Sequence, residues 1–320
     1  MLTSDRIKQL ATASGFDLCG VTTPDVIRDA EKRLNEWLAA GHAGEMDYMS
    51  RALERRIDPR QLMDNVRSVI MLGLNYYQQD TERTPPGQGR VSKYARGRDY
   101  HKVFTNKVKE LLWRLEKELG ATASFNHKWF VDYGPFMERS YAEQAGLGFI
   151  GKNGMLINKK FGSWIFLAEI VTDLALEPDR RDPIAHGHCG ACRLCIEACP
   201  TDAIISPRVV DSRRCISYLT VEKPSKVPDE LADKMGDLVF GCDICQDVCP
   251  YNARPVVTAH SDLMSRKGVG EFLDLEEISR LRSDEDFYRL TAGTALTRPK
   301  LVGLKRNAAI AARNQAHRAT

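Results

Sequence analysis

Four closely spaced cysteines constrain this chain more than any other feature. They lie in Cys189-Gly-Ala-Cys192-Arg-Leu-Cys195-Ile-Glu-Ala-Cys199-Pro200, three at every third position and the fourth after a three-residue gap. This is the bacterial ferredoxin spacing of a [4Fe–4S] site, in which the fourth cysteine ligates a different cluster. The spacing therefore predicts a second cluster. Cys242-Asp-Ile-Cys245-Gln-Asp-Val-Cys249-Pro250 repeats the end of the motif without its first cysteine, and the isolated Cys215 can fill that vacancy. Eight of the nine cysteines are then used, as two sets of four.

Other uses of these thiols fit less well. Disulfide frameworks belong to small secreted domains, whereas these cysteines crowd one third of a 320-residue chain. Zinc would suit the C-x-x-C pairs Cys192…Cys195 and Cys242…Cys245, with His186 and His188 beside Cys189. A zinc site needs neither the third cysteine three residues on nor a trailing Cys-Pro used twice. Cys19 stands among apolar residues and reads as a buried thiol.

The length suggests two domains with enough sequence for a core. An apolar content of 43% and a charged content of 28% are ordinary for a globular chain, and a formal charge of +3 does not by itself demand nucleic acid. The N-terminus has no long apolar core and no twin arginine, and no run is long enough to span a bilayer. No signal peptide is expected. With thiolate-bound clusters, this points to a reducing cytoplasm.

Periodicity predicts an amphipathic helix over 4–14 with Ser4 as N-cap, a strand from Phe16 to Thr22, and a helix from about 25 to 40 ending at Gly41. Val66 to Tyr76 contains the continuous apolar run of a buried strand, and Thr81 to Gly89 reads as a loop. Tyr100 to Leu119 is a strong helix; Trp129 to Val131 is a short strand; a helix is expected near 136–145 and β-structure near 154–158 and 163–171. The chain turns helical again from about 275.

Two stretches are strongly basic. From Thr291 onward, Arg298, Lys300, Lys305, Arg306, Arg313 and Arg318 meet no acid; from Arg90 to Lys109, Lys93, Arg96, Arg98, Lys102 and Lys107 meet only Asp99. Each reads either as a solvated face or as a surface for a phosphate backbone. Gly146-Leu-Gly-Phe-Ile-Gly151-Lys152-Asn153 nearly spells a P-loop but lacks the hydroxyl after lysine that would meet magnesium. A helix also precedes it where a strand belongs. Asp99-Tyr-His101-Lys-Val-Phe104 only faintly matches the cobalamin motif with a histidine ligand, because Phe104 replaces its glycine. His101 is thus expected at the surface or facing substrate.

Two clusters imply one-electron steps. About 175 residues precede them, enough for a fold that houses an electron acceptor such as flavin, cobalamin or a metal. No G-x-G-x-x-G fingerprint supports a nicotinamide site. The residues alone define an iron–sulfur oxidoreductase with a second, unidentified cofactor.

Several longer stretches resemble the epoxyqueuosine reductases, cobalamin-dependent iron–sulfur enzymes that finish queuosine in tRNA. They are Glu54-Arg-Arg56-Ile-Asp-Pro59, Tyr94-Ala-Arg-Gly-Arg-Asp-Tyr-His101, Val131-Asp132-Tyr-Gly134-Pro-Phe-Met-Glu138-Arg139, Ala145 to Asn153, Arg214-Cys215-Ile-Ser217-Tyr-Leu-Thr220 and Gly241 to Pro250. Arg306-Asn307-Ala308 matches the family's short basic helix. The resemblance implies an α+β fold: a nitroreductase-like α/β cobalamin-binding domain over 1–178, a double-cluster ferredoxin-like domain over 179–258, and a short C-terminal helical, basic segment over 259–320.

It also implies the reaction. The epoxide of epoxyqueuosine takes up two electrons and two protons and leaves an alkene and water, with reduced cobalamin as nucleophile and electron donor. The leaving oxygen needs a proton, and the family's acid maps onto Asp132, which on local sequence alone is a turn residue ahead of Gly134-Pro135. An aspartate donor requires a pKa raised by burial, or a relay that reprotonates it. The implied corrin contacts are Arg56, Ser92, Asp132, Met137, Leu156, Leu167, Ser217, Glu222, Asp243 and Ile244. Arg139 and Lys152 lie in matching motifs and are equally able to pair with a carboxylate. Ferredoxin logic assigns Cys189, Cys192, Cys195 and Cys249 to one cluster and Cys199, Cys215, Cys242 and Cys245 to the other. The expected partners are a tRNA carrying epoxyqueuosine and an external low-potential electron donor, with no membrane; the absence of an obvious coiled coil leaves a monomer as the expectation. The competing readings are a reductive dehalogenase-like cobalamin enzyme, disfavoured by the lack of a twin-arginine signal, and a non-catalytic electron carrier or zinc module.

Overall fold

The computed structural model describes residues 2–81, 83–120, 124–179 and 187–319. The first three segments form α1 (Ser4–Ala13), β1 (Leu18–Thr22), α2 (Arg28–Ala39), α3 (Leu53–Ile57), β2 (Ser68–Asn75), β3 (Gln88–Val91), α4 (Tyr100–Leu119), β4 (His127–Phe130), α5 (Glu138–Gln144), β5 (Phe149–Ile150), β6 (Leu156–Ile157) and β7 (Ile165–Thr172). Four of these strands make a sheet in the order β1-β2-β7-β4, each neighbour antiparallel.

Strand alternation splits this sheet into two faces. Ile70, Leu72 and Leu74 of β2 and Phe166, Ala168 and Ile170 of β7 face α1 and α4, meeting Ile7, Leu10, Phe104, Val108 and Leu111. Val69 and Met71, with Ile165, Leu167 and Val171, face the other way, against Phe136, Tyr141 and Ala142 around α5. Both faces are covered, so β2 and β7 are buried at every residue, as their apolar runs require. Leu111 is fully buried, and its truncation to alanine would cost about 2–5 kcal/mol.

Helix ends follow local chemistry. Asp99 caps α4 by accepting the His101 amide at 3.0 Å, and the helix ends at Gly120. The N-cap of α1 is Thr3, which accepts the Arg6 amide, not the expected Ser4. Ser4 lies one residue inside the helix, and its hydroxyl donates to the Glu177 carbonyl instead.

The remaining elements are α6 (Leu194–Glu197), β8 (Ile204–Ser206), β9 (Val209–Val210), α7 (Ile216–Val221), α8 (Asp229–Ala232), β10 (Leu238–Phe240), α9 (Ile244–Asp247), β11 (Phe272–Asp274), α10 (Leu275–Arg280), α11 (Asp284–Thr291) and α12 (Lys300–Ala319). The short helices α6 and α9 grow out of the two cysteine motifs and pack on each other. A second sheet has the order β10-β3-β11, parallel on one side of β3 and antiparallel on the other. Its strands come one each from 1–178, 179–258 and 259–320, so this sheet crosses both expected boundaries. Helix α12 covers it, burying Leu304, Ala308 and Ala311 against Val239, Phe240 and Leu273.

Neither basic stretch forms a continuous solvated face. Lys93 and Arg96 are only 2% and 1% exposed. Lys93 pairs with Asp80 and Asp247, and Arg96 with Asp80. Arg90 pairs with Glu271. In the C-terminal stretch, Arg298 forks onto Glu222 and Arg313 meets Asp233. Arg306 donates to the Leu219, Lys223 and Ser225 carbonyls. These acids and carbonyls all lie outside the two basic stretches, which is why local composition overstated the exposed charge. No described helix is long and apolar enough to cross a membrane.

Candidate active site

The β4–α5 connection carries Asp132 at the mouth of the α5 face. Tyr133 donates its amide to the Val131 carbonyl, and Phe136 donates to Gly134, so the chain turns tightly twice. Gly134 is required here because a Cβ would sit 2.6 Å from the Phe130 side chain. Asp132 itself adopts φ +63°, in the left-handed region.

Three neighbours define the Asp132 environment. The Tyr100 hydroxyl donates to Asp132 Oδ2. Burial, and then the Asp132 charge, hold the Tyr100 phenol well above its ordinary value, so it keeps its proton. His101 Nε2 lies 3.9 Å from Asp132 Oδ2, while its Nδ1 meets Asp99 Oδ1 at 2.7 Å. The Asp132 amide donates to Glu138 Oε1 at 2.7 Å. Asp132 is not buried: its side chain keeps 62% of its exposure. The burial expected of a proton donor falls instead on two other acids.

Those acids are Glu138 and Glu169. Glu138 keeps some surface as a residue, but its carboxyl is enclosed. Burial, joined by the Asp132 charge, pushes that carboxyl up to about 8. Glu169 on β7 is fully buried on the α5 face, and neither carboxyl oxygen finds a hydrogen-bond partner among the described residues. Burial, then Glu138 and Asp132, push it well above the usual carboxylate range.

The other expected site residues fall on several elements. Met137, Leu156 and Leu167 share one apolar cluster with Phe136 and Tyr141. Arg56, in the last turn of α3, has a half-buried guanidinium whose Nε has no partner among the described residues. Ser92 is buried with its Oγ unpartnered, and Gly241 faces it so closely that a Cβ there would lie 2.5 Å from that oxygen. Asp243 starts α9 beside Ile244; its Oδ2 accepts the Lys93 amide at 2.7 Å while Oδ1 is buried without a partner. Burial raises it to about 6. Ser217 lies in α7, and Glu222 follows that helix, held by Arg298. Tyr94 links these groups: burial first, then Asp132, Asp243 and Glu222, raise its phenol well above the ordinary value.

The cysteines fall into electrostatic neighbourhoods. Burial raises Cys195, followed by the charges of Cys189, Cys249 and Cys192. Burial likewise raises Cys245, followed by Cys215, Asp243, Cys195 and Cys199, so this thiol stands near members of both sets; Cys242 is raised by burial, then by Cys215 and Cys245. Backbone amides also reach sulfur: Lys152 donates to Cys189 Sγ at 3.4 Å and Ala203 to Cys199 Sγ at 3.2 Å. Cys19 packs against the sheet core, where burial pushes its thiol up to about 12. His188 is exposed, and His186 lies outside the described residues.

The P-loop-like stretch serves these motifs. Its Gly151 amide donates to Met155 and turns the β5–β6 hairpin. Lys152 Nζ donates to the Gly190 and Cys192 carbonyls at 2.7 and 2.8 Å. Asn153 reaches the Cys245 carbonyl. Arg139 donates to the Gly154 carbonyl. Both cations thus bind backbone oxygens rather than the carboxylates that were equally open to them. Sequence reasoning missed Tyr94, Tyr100, Glu138 and Glu169; for the first three, their place inside the quoted stretches was the available signal. Glu169 had one too, a lone acid in an otherwise apolar strand.

Comparison with known proteins bears directly on this arrangement. Residues 56–133 match the family model described as "Epoxyqueuosine reductase QueG, DUF1730", and residues 188–252 match a "4Fe-4S double cluster binding domain". The chain is 44% identical over 308 residues to epoxyqueuosine reductase of Leadbetterella byssophila, covering 96% of this chain and 97% of that protein. Its fold superposes, with a TM-score of 0.88 and 28% identity, on a crystal structure of epoxyqueuosine reductase with a tRNA-Tyr epoxyqueuosine-modified stem loop, over 97% of this chain and 81% of that one. A Bacillus subtilis epoxyqueuosine reductase, solved with its catalytic aspartate loop swung out of the active site, matches at a TM-score of 0.87 and 27% identity over 97% of this chain and 81% of that one.

Proposed function

The chain belongs to the epoxyqueuosine reductase family, and on that premise we propose that it reduces epoxyqueuosine to queuosine in a tRNA anticodon loop. The convergence of Tyr100, His101 and Asp132 beside the α5 face carries this reading. It supplies an acid for the leaving oxygen next to a double-cluster domain that supplies electrons. The balance is one epoxide, two electrons and two protons, giving one alkene and one water.

The two clusters take the eight motif cysteines. The neighbourhoods of Cys195 and Cys249, and of Cys215 and Cys242, support the partition into Cys189, Cys192, Cys195 and Cys249, and Cys199, Cys215, Cys242 and Cys245. An external low-potential donor loads them.

Cobalamin fits the residues present. Three buried polar atoms without a partner among the described residues, Arg56 Nε, Ser92 Oγ and Asp243 Oδ1, belong to residues expected at the corrin. Met137, Leu156 and Leu167 offer it an apolar wall. When bound, the corrin's cobalt supplies strongly reducing, nucleophilic chemistry. The protein's own work is to place the substrate and deliver protons. Asp132 gives its proton to the leaving oxygen, and the Tyr100 hydroxyl stabilises the carboxylate that results. His101, oriented by Asp99, stands where one water can bridge it to Asp132 and return the proton. This is the relay that an exposed aspartate requires.

A cleft of about 720 Å³ borders the first turn of α4 and is lined by Arg98, Lys102 and Lys267. Arg98 pairs with Asp262, whereas Lys102 and Lys267 are exposed and have no ion-pair partner among the described residues. Lys102 follows His101 directly, so this cleft suits the phosphates that flank the modified nucleotide.

The test is anaerobic incubation of reduced protein, loaded with iron–sulfur clusters and cobalamin, with epoxyqueuosine-containing tRNA. Mass analysis of the nucleosides should find queuosine, one oxygen lighter. No conversion by fully loaded protein would defeat the reading.

A further inference from the structure

The Asp132 turn is held by a residue whose part in the chemistry has no assignment so far. Asp132 occupies the left-handed region at φ +63°, a conformation that carries a steric penalty for a residue with a Cβ. Something must hold it there. The carboxylate of Asp132 is held by Tyr100 from α4, but its backbone is held from the opposite side. The Asp132 amide donates to Glu138 Oε1 at 2.7 Å, six residues on, at the first position of α5. Glu138 opens α5, the helix that packs on the fully buried strand β7. An exposed turn is thus tied to an acceptor carried by a core-packed helix.

We propose that Glu138 is the positioning residue for Asp132: its Oε1 holds the Asp132 amide and keeps the turn folded toward Tyr100 and His101. The inference rests on Asp132 as the proton donor. Glu138 touches no substrate in this scheme and acts only through the Asp132 backbone. A swung-out Asp132 turn would break both the Glu138 and the Tyr100 contacts, so the two bonds act together as one latch. Because the latch needs only an acceptor oxygen, an amide in place of the carboxyl preserves it.

Hydrogen exchange and kinetics test this together. In the wild-type protein, the Asp132 amide is expected to exchange at least ten-fold more slowly than a free amide of the same sequence. Glu138→Ala should abolish that protection while iron content stays at the wild-type level. It should also lower kcat at least ten-fold with KM for tRNA changed less than three-fold. Glu138→Gln should restore protection and at least five-fold of the lost kcat. An unprotected Asp132 amide in the wild-type protein overturns the latch, with no variant needed. Wild-type protection in Glu138→Ala overturns it as well, and so does a Glu138→Gln variant as slow as Glu138→Ala. Exchange is read without substrate, so a wild-type protein that protects Asp132 but fails to convert the tRNA sinks the functional reading and leaves the latch standing.

Discussion

The Tyr100 hydroxyl donates to Asp132 Oδ2 from the first position of α4, the helix that Asp99 caps and whose second residue, His101, also faces Asp132. One helix N-terminus therefore presents two polar side chains to the proposed acid. A hydrogen bond to a charged group is worth about 1.5–3 kcal/mol. Tyr100→Phe is accordingly expected to lower kcat between about ten- and one-hundred-fold with clusters intact. Asp132→Asn, which removes the proton itself, should cost roughly one-hundred-fold or more. Single-turnover formation of queuosine measures both; equal rates for Tyr100→Phe and wild type would remove the phenol from the scheme.

The partition of thiols is tested with single serine substitutions. Cys249→Ser and Cys189→Ser should each reduce iron from about eight toward about four atoms per chain. Their surviving cluster should give one common electron paramagnetic resonance signal. Cys242→Ser should leave a different one. If Cys249→Ser instead resembles Cys242→Ser, the fourth ligands are not exchanged between the motifs.

Glu138 carries a pH signature in stability. Its carboxyl stands at about 8 in the folded chain against an ordinary 4.5. Between those values the native protein holds a proton that the unfolded chain has lost, so this group's contribution falls as pH rises through the window and levels off above it. Glu138→Gln should therefore flatten the decline of Tm between about pH 5 and 8 relative to wild type. Parallel Tm curves for the two proteins would show that Glu138 ionises normally.

Salt dependence reports on the α4 cleft. If Lys102 and Lys267 each contact a phosphate of single-stranded loop RNA, replacing both with glutamine should reduce the slope of log affinity against log salt by about 1.4. The iron content should not change. Binding titrations from low to moderate salt read this directly, and an unchanged slope would place the tRNA elsewhere.

Much of the cluster domain was legible because ferredoxin ligation is written in short spacings. Cys189 to Cys199 and Cys242 to Cys249 each lie within one short stretch, whereas the short helices α6 and α9 inside them were not expected from the sequence. The helix over Tyr100–Leu119 was equally legible from its apolar period. Lys93 and Arg96 were not. Their run looked like an exposed basic patch, yet their partners Asp80, Asp243, Asp247 and Glu271 come from three separate stretches of the chain. Asp132 was legible as a motif residue, but its exposure was not.

The sequence by itself determined the iron–sulfur character, the main helices and strands, and the motif around Asp132, because each depends on residues within one turn or one strand of each other. Only the tertiary structure decided which charges survive at the surface and which acids keep their protons. Glu138 and Glu169 are 31 residues apart and come within electrostatic reach because α5 packs on β7. Ionisation depends on the water that folding removes and on the charges that folding brings near, and neither quantity is local to a stretch of chain.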